Sequence, residues 1–314
     1  MKKLLFIYNP ASGKGVIKRY VDSLIEIFED YGYFVDILRI QEGFEGNSGR
    51  AVAQRGIDYD RVICSGGDGT LSHIVSSLML IPEERRPVIG FIPTGSTNDM
   101  GKNLDLPKLV MKAGKMVMEG EPMAMDIGRL EDQYFAYVVS MGELSAVSAF
   151  TSPQAKKVLG RGAYITEGLK VLMKMDSNHI VCRYDKENVI EGDFILGMIA
   201  NSTSVGGFKG IMGNSVDLSD GMFEAAFVRK PSNLNEFSRE LDAMLVNKDE
   251  SNKVAGDLVE RFKASEIDIT SPDDVQWVKD GENAGRHAHV LITNENKAIR
   301  IITGPALWDE EEQS

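Results

Sequence analysis

Three uninterrupted apolar runs each lead straight into a glycine-bearing loop, and this pairing restricts the fold more than any other feature of the chain. Leu4-Leu5-Phe6-Ile7-Tyr8 enters Asn9-Pro10-Ala11-Ser12-Gly13-Lys14-Gly15. Arg61-Val62-Ile63-Cys64 enters Ser65-Gly66-Gly67-Asp68-Gly69-Thr70. Val88-Ile89-Gly90-Phe91-Ile92 enters Pro93-Thr94-Gly95-Ser96-Thr97-Asn98-Asp99. Apolar runs of this length without alternation mark strands buried on both faces. Between them, Tyr20, Leu24, Ile27 and Phe28 recur at helical spacing, Phe34–Leu38 reads as a further strand, and Ala51–Gln54 lies in a helix. Leu71, Ile74, Val75 and Leu78 form the face of a helix that begins at the second loop. Strands alternating with helices predict a parallel sheet with right-handed crossovers.

Ligands of open α/β sheets bind at the carboxyl ends of the strands, so these loops are expected to converge on one site. Gly66-Gly67-Asp68-Gly69-Thr70 offers backbone N–H groups at a helix N-terminus, where negative charge is favoured. Taken alone, such a segment fits any tight strand-to-helix turn as well as a phosphate cradle. The Walker arrangement is absent, because Gly13-Lys14 is followed by Gly15, and no G-x-G-x-x-G follows the first strand.

Beyond Asp126-Ile127-Gly128 the rhythm changes. Tyr134–Val139, Ile180–Tyr184, Asp193–Ile199, Met222–Val228, Glu266–Ile269, Val275–Val278, Val290–Ile292 and Ile299–Ile302 read as strands. Helical patterns interrupt them only near 157–175 and 234–247. The expected architecture is an α/β domain over residues 1–128, with 303–314 returning to it, and a β-sandwich domain over 129–302. At 314 residues, two domains are also the default for size.

A formal charge of -12 argues against a nucleic-acid partner, whose phosphates require clustered Lys and Arg. It argues equally against permanent adhesion to an anionic membrane, and solvent alone accounts for it. Cys64 and Cys182 lie in apolar runs and read as buried thiols. The amino-terminal apolar run is too short for a secretory signal, and none approaches the roughly 20 residues of a membrane span. A cytoplasmic protein is expected. His287 and His289 lack a third ligand for zinc, and the methionines, including Met173 and Met175, read as core.

Together, Asn9-Pro10-x-Ser12-Gly13, Gly66-Gly67-Asp68-Gly69-Thr70 and Pro93-x-Gly95-Ser96-x-Asn98-Asp99 resemble the diacylglycerol kinase catalytic domain family, most of all its soluble bacterial lipid kinases. Asp126-Ile127-Gly128, Leu218-x-Asp220-Gly221 and Asp280-Gly281-Glu282 follow in the family's order. The Gly-Gly-Asp-Gly-Thr segment is shared with NAD kinases and 6-phosphofructokinases, so the ordered set carries the resemblance.

That resemblance implies an NAD-kinase-like α/β domain, a β-sandwich domain, and ATP bound with catalysis in the cleft between them. It implies transfer of the γ-phosphoryl group to a lipid hydroxyl, diacylglycerol first. Glu282 would be the general base, with Asp280 and Asp68 in the catalytic set. Asn9, Pro10, Ser12, Gly13, Gln41, Gly66, Gly67, Asp68, Gly69, Thr70, Ser72, Gly95, Ser96 and Asn98 would hold the nucleotide. A structural Mg²⁺ would be held at Asp220, with the carbonyls of Asp217 and Met222 contributing. Asp68, Asp99 and Asp126 would extend a carboxylate–water network to the catalytic metal at the ATP phosphates, unless Asp99 merely caps a helix. Ser96 stands where the family usually has Thr and keeps the hydroxyl, whereas Gln41 replaces a Thr with a longer amide. The implied partner is a lipid at the membrane surface, met transiently at the inner face, and a homodimer is left open. Sphingoid bases, phosphatidylglycerol or NAD as acceptor, and a non-catalytic nucleotide- or lipid-binding regulator, are the rival readings.

Overall fold

The computed structural model describes residues 2–41, 46–142, 176–202, 204–205, 208–209, 216–230 and 258–305. The helical patterns near 157–175 and 234–247, Met173 with Met175, and the acidic tail 309–312 lie outside them. The chain divides into two compact units, one comprising Met1–Ile127, Tyr134–Tyr137 and Glu295–Ser314, the other Gly128–Gln133 and Val138–Asn294.

In the first unit, strands β1 (Lys2–Tyr8), β2 (Tyr33–Arg39), β3 (Arg61–Gly66) and β4 (Val88–Pro93) form a parallel sheet. Its order is β4-β3-β1-β2. Helices α1 (Val21–Asp30), α2 (Gly46–Arg55), α3 (Asp68–Leu78), α4 (Asp99–Asn103) and α5 (Val110–Glu119) connect and cover it. The core is built where α1 and α5 lay Leu24, Phe28, Ala113 and Val117 on Leu4, Phe6, Ile63 and Ile92. Phe6 and Phe28 meet edge to face at 5.4 Å, an arrangement that ring quadrupoles favour. Burying a side chain of this size contributes about 2–3 kcal/mol against leaving it in water.

The second unit is strand-rich. Strands β5 (Pro122–Leu130) and β6 (Gln133–Phe135) precede β7 (Val138–Gly142), β8 (Asn178–Tyr184) and β9 (Asn188–Ala200). The short β10 (Ser204–Val205) and β11 (Phe208–Lys209) follow, then β12 (Phe223–Arg229), β13 (Val259–Ala264), β14 (Glu266–Lys279) and β15 (Glu282–Ile302). The order β13-β12-β9-β7-β14-β15 is antiparallel throughout. Both β9 and β14 pair with β8 over one stretch and with β7 over another. Long strands that change partners in this way turn the corner between packed sheets. A register shift between Thr270 and Val275 supplies the bend in β14. Phe194, Phe227, Phe262 and Tyr184 form a continuous aromatic run through this unit, and Trp277 is fully buried.

Three strands are divided between the units, β5 after Ile127, β6 after Gln133 and β15 after Asn294. The end of β15 returns to the parallel sheet, with Ile301 opposite Ile89 of β4.

Candidate functional site

In the first unit, β1 stands between β2 and β3. Connections leaving β1 and β3 therefore diverge, and a crevice opens at the carboxyl ends of the two strands. The loops around it are tied to one another. Asn9 N donates to Ser65 O at 2.8 Å, Thr94 N donates to Gly66 O at 2.7 Å, and the hydroxyls of Ser65 and Thr94 are 3.3 Å apart.

Close approach requires glycine at Gly13 and Gly95. A Cβ on Gly95 would lie 2.5 Å from Gly67 Cα, and one on Gly67 would lie 3.4 Å from Gly95 Cα and 3.8 Å from Ser12 Oγ. At Gly13, φ is 53° and a Cβ would run into the Thr94 carbonyl oxygen. Ser12, Gly13, Gly66, Gly67 and Gly95 are thus brought together by backbone packed on backbone.

α3 opens on this cluster with no side chain capping its N-terminus, so its first N–H groups keep their partial positive charge. Thr70 folds its side chain over Gly66, and Ser72 is buried in the next turn. Around Gly69, no heavy atom of the described residues outside its own helix turn lies within 4 Å of where a Cβ would be. Glycine in a helix costs about 1 kcal/mol against alanine. Here no neighbour demands it, so the open space beside it suits an incoming ligand.

Asp68 serves as a cap for a second helix. Its Oδ2 accepts from Asp99 N at 3.1 Å and its Oδ1 from Met100 N at 3.0 Å, which satisfies the first N–H groups of α4. Desolvation raises its pKa above the ordinary value of 3.8, while these two hydrogen bonds oppose the rise. Asp99 is buried, with Lys102 Nζ at 3.0 Å from its Oδ1. Asn98 occupies the left-handed region at φ 51° and donates through Nδ2 to Gly95 O at 2.9 Å. Its Oδ1 is buried with no hydrogen-bond partner among the described residues. Ser96 is exposed at the same loop. Asp126 is wholly buried and accepts from Lys297 N at 2.7 Å, a backbone position held at φ 52°.

Beside this cluster lies a cleft of about 330 Å³ lined by Asn9, Pro10, Ala11, Lys18, Arg39, Ile40 and Gln41. Asn9 shapes its floor, since Oδ1 accepts from Ala11 N at 2.9 Å and turns the chain under Pro10. Lys18 and Arg39 give it positive charge, and Gln41 contributes a donor and an acceptor.

The remaining candidates belong to the second unit. Asp280 and Gly281, at φ 48° and 87°, make the two-residue turn between β14 and β15. Two successive positive φ values define a type I′ hairpin, for which Asp-Gly is a preferred pair. Asp280 is itself buried and grips β7, its N donating to Val138 O at 2.8 Å and its Oδ1 accepting from Val138 N at 3.0 Å. Glu282 leaves the turn exposed, opposite Lys279.

From Val138 the register runs across the sheet through Ala200 and Glu224 to Lys263. At about 4.8 Å per strand, Glu224 lies roughly 10 Å from Val138 along this row. The Asp217–Met222 loop borders it. Asp217 Oδ1 accepts from Ser219 N, Asp220 Oδ1 accepts from Met222 N, both at 2.9 Å, and Asn201 Nδ2 donates to Leu218 O at 3.3 Å. Asp220 Oδ2 stands 3.5 Å from Lys263 Nζ. Among the described residues, no three His, Cys, Asp or Glu side chains gather closely enough to cage a metal. Mg²⁺ keeps several waters and needs few protein oxygens, so the Asp217 and Asp220 carboxylates with neighbouring carbonyls suit it by donor type.

Lys18, Arg39, Glu224 and Lys263 were not singled out by the sequence. Arg39 carried a signal, as a cation at the carboxyl end of a strand. Glu224 and Lys263 carried none, because their meeting depends on cross-strand register.

The diacylglycerol kinase catalytic domain profile matches residues 3–130. A diacylglycerol kinase of Staphylococcus epidermidis is 32% identical over 313 residues, spanning 99% of this chain and 95% of that kinase. The chain belongs to the diacylglycerol kinase family. As a member it is a lipid kinase, a transferase that phosphorylates an alcohol group. A crystal structure of a diacylglycerol kinase from Bacillus anthracis has the same fold, with a TM-score of 0.77 at 22% identity over 98% of this chain and 99% of that one. Yeast NADH kinase in complex with NADH aligns with a TM-score of 0.57 at 12% identity, over 98% of this chain and 84% of its own. The fold is therefore NAD-kinase-like, with a strand-rich carboxyl-terminal unit. No helix among the described residues is long and apolar enough to cross a membrane.

Proposed function

We propose that this lipid kinase uses ATP and transfers its γ-phosphoryl group to the hydroxyl of diacylglycerol, giving phosphatidic acid. The observation that carries the nucleotide half is the glycine cluster at the start of α3. There Gly67 and Gly95 touch through their backbones, and Gly69 faces space that no described residue outside its own helix turn fills within 4 Å of a would-be Cβ. Phosphate oxygens fit such a cradle, since they accept from backbone N–H groups and are attracted by the helix terminus. The Asn98 Oδ1, an acceptor with no partner among the described residues, suits a donor such as a hydroxyl or a water rather than a phosphate oxygen. The nucleoside belongs in the adjoining cleft, where Gln41 and Arg39 face it.

Glu282 is the general base of this reading. It is an exposed carboxylate next to a type I′ turn, and in this reading it draws the proton from the acceptor hydroxyl as its oxygen attacks phosphorus. Asp280 acts by holding that turn against β7. Asp68 holds α4, and with it the Asn98 loop, at the phosphate cradle. A bound catalytic Mg²⁺ would supply charge neutralisation at the phosphates, approached through a network of Asp68, Asp99 and Asp126. Asp217, Asp220 and the Met222 carbonyl are the proposed ligands of a separate structural Mg²⁺. Asp126, which accepts from Lys297 N through Oδ1, is a member of that catalytic network in this reading.

The test is transfer from γ-labelled ATP, with Mg²⁺, to a panel of diacylglycerol, a sphingoid base, phosphatidylglycerol and NAD. A labelled phosphatidic acid band is the expected result. A band from another lipid reassigns the acceptor, and labelling of NAD alone overturns the reading.

A further inference from the structure

The second unit holds a buried carboxylate that the proposed chemistry does not use. Glu224, at the start of β12, is 5% exposed. Its Oε1 pairs with Lys263 Nζ at 2.8 Å, while its Oε2 is buried with no partner among the described residues. A buried carboxylate oxygen without a donor is costly, so such an atom marks a place where a positive or donating group belongs.

The same ammonium lies 3.5 Å from Asp220 Oδ2. Its two contacts differ in kind. Lys263 and Glu224 are directly opposed in the β12–β13 register, so strand pairing enforces their contact. Asp220 belongs to a loop whose own turn is closed by Met222 N donating to Oδ1, which leaves Oδ2 to the longer approach of the lysine. Glu224 is the anchor, and Asp220 is held more loosely.

We propose that Lys263 is the resident counter-cation of the Asp220 corner, anchored on Glu224, and that it competes with the divalent cation for Asp220 Oδ2. The inference rests on the reading of Asp220 as a cation ligand. An ammonium carries three donors on a flexible stem and can serve both carboxylates in turn. A divalent ion that takes Asp220 Oδ2 releases the lysine entirely to Glu224, whose empty Oε2 accepts the freed N–H. The buried orphan oxygen is then satisfied in the cation-bound protein, and the loop exchanges one positive charge for another.

The probe is Mn²⁺ binding to the full chain without nucleotide, read from the free-ion signal in electron paramagnetic resonance. Removing the competing charge by Lys263→Met should tighten binding by about two- to fivefold, the span expected of a half-exposed ion pair. Lys263→Gln should do the same, and carries the test if the methionine variant does not fold. Glu224→Gln should act oppositely, because a lysine deprived of its anchor moves onto Asp220 and weakens Mn²⁺ binding. Asp220→Asn separates the two levels of the argument. If it leaves Mn²⁺ binding unchanged, Asp220 is no ligand and both readings fall. If it weakens binding while the lysine variants bind as wild type or more weakly, or Glu224→Gln binds more tightly, the competition alone is overturned.

Discussion

The two units present their candidate residues in opposite ways. In the first, the proposed chemistry belongs to the backbone: strand ends packed so closely that Gly13 and Gly95 have no room for a side chain, with an uncapped helix terminus beside them. In the second it belongs to side chains carried on turns, with Glu282 and Asp220 exposed and their neighbours Asp280 and Glu224 buried to hold them. A backbone site breaks when almost anything is added to it. A side-chain site can lose its functional atom and leave the fold untouched.

Glu282→Gln tests that contrast at its strongest. An exposed turn carboxylate replaced by its amide should lower turnover by about 10²–10⁴-fold with ATP affinity and thermal midpoint unchanged. Turnover at the wild-type rate would remove Glu282 from the role of base. Gly95→Ala should do the reverse, since its Cβ meets Gly67 Cα at 2.5 Å and both partners are backbone. Overpacking of this kind costs about 1–3 kcal/mol, and ATP binding should fall with stability in a urea titration followed with and without nucleotide. Asp280→Ala blurs the contrast, because it removes a buried acceptor from Val138 N and should destabilise by about 1–3 kcal/mol. Asp280→Asn retains an acceptor and tolerates positive φ, so most of that stability should return. A stable but inactive Asp280→Ala protein would instead assign Asp280 to the chemistry itself.

The smallest effect compares how tightly the units are closed. Each has one cysteine among its described residues, Cys64 in β3 and Cys182 in β8. Burial pushes the Cys182 thiol up to about 12 and raises Cys64 as well. Since thiolate is the reactive form, neither should react with a disulfide reagent at pH 8 until its own unit opens. Labelling rates read by mass spectrometry then rank the units, and equal rates would mean that they open together.

The first unit was the more legible because its signals are local. A strand, a glycine turn and a helix start occupy consecutive residues, so the loops at Asn9, Gly66 and Pro93 could be read one at a time. α5 had its pattern in view too, with Val110, Ala113, Gly114, Val117 and Met118 buried on one face. No motif adjoins it, so only its spacing marks it as a helix. The second unit hid more. Tyr134–Val139 reads as one strand, yet Ala136 and Tyr137 separate β6 from β7 where the chain passes from one unit to the other. Glu266–Ile269 and Val275–Val278 read as two strands, yet they are one, because the polar stretch around Pro272 is the register shift that bends β14. β13 was missed outright, its charged Glu260, Arg261 and Lys263 masking the strand pattern. Partner changes and register are set by distant segments, and no window of sequence contains them.

β15 gives this arrangement a temporal side. During synthesis every segment of the α/β unit up to Ile127 emerges early, but the strand end that pairs with β4 through Ile301 comes some 170 residues later. Until then β4 presents an open apolar edge, the kind of template on which nascent chains associate. The α/β unit is therefore closed only by the segment that follows Glu282, the proposed base. A ribosome that stalls before Glu295 leaves an unfinished sheet rather than a small working domain.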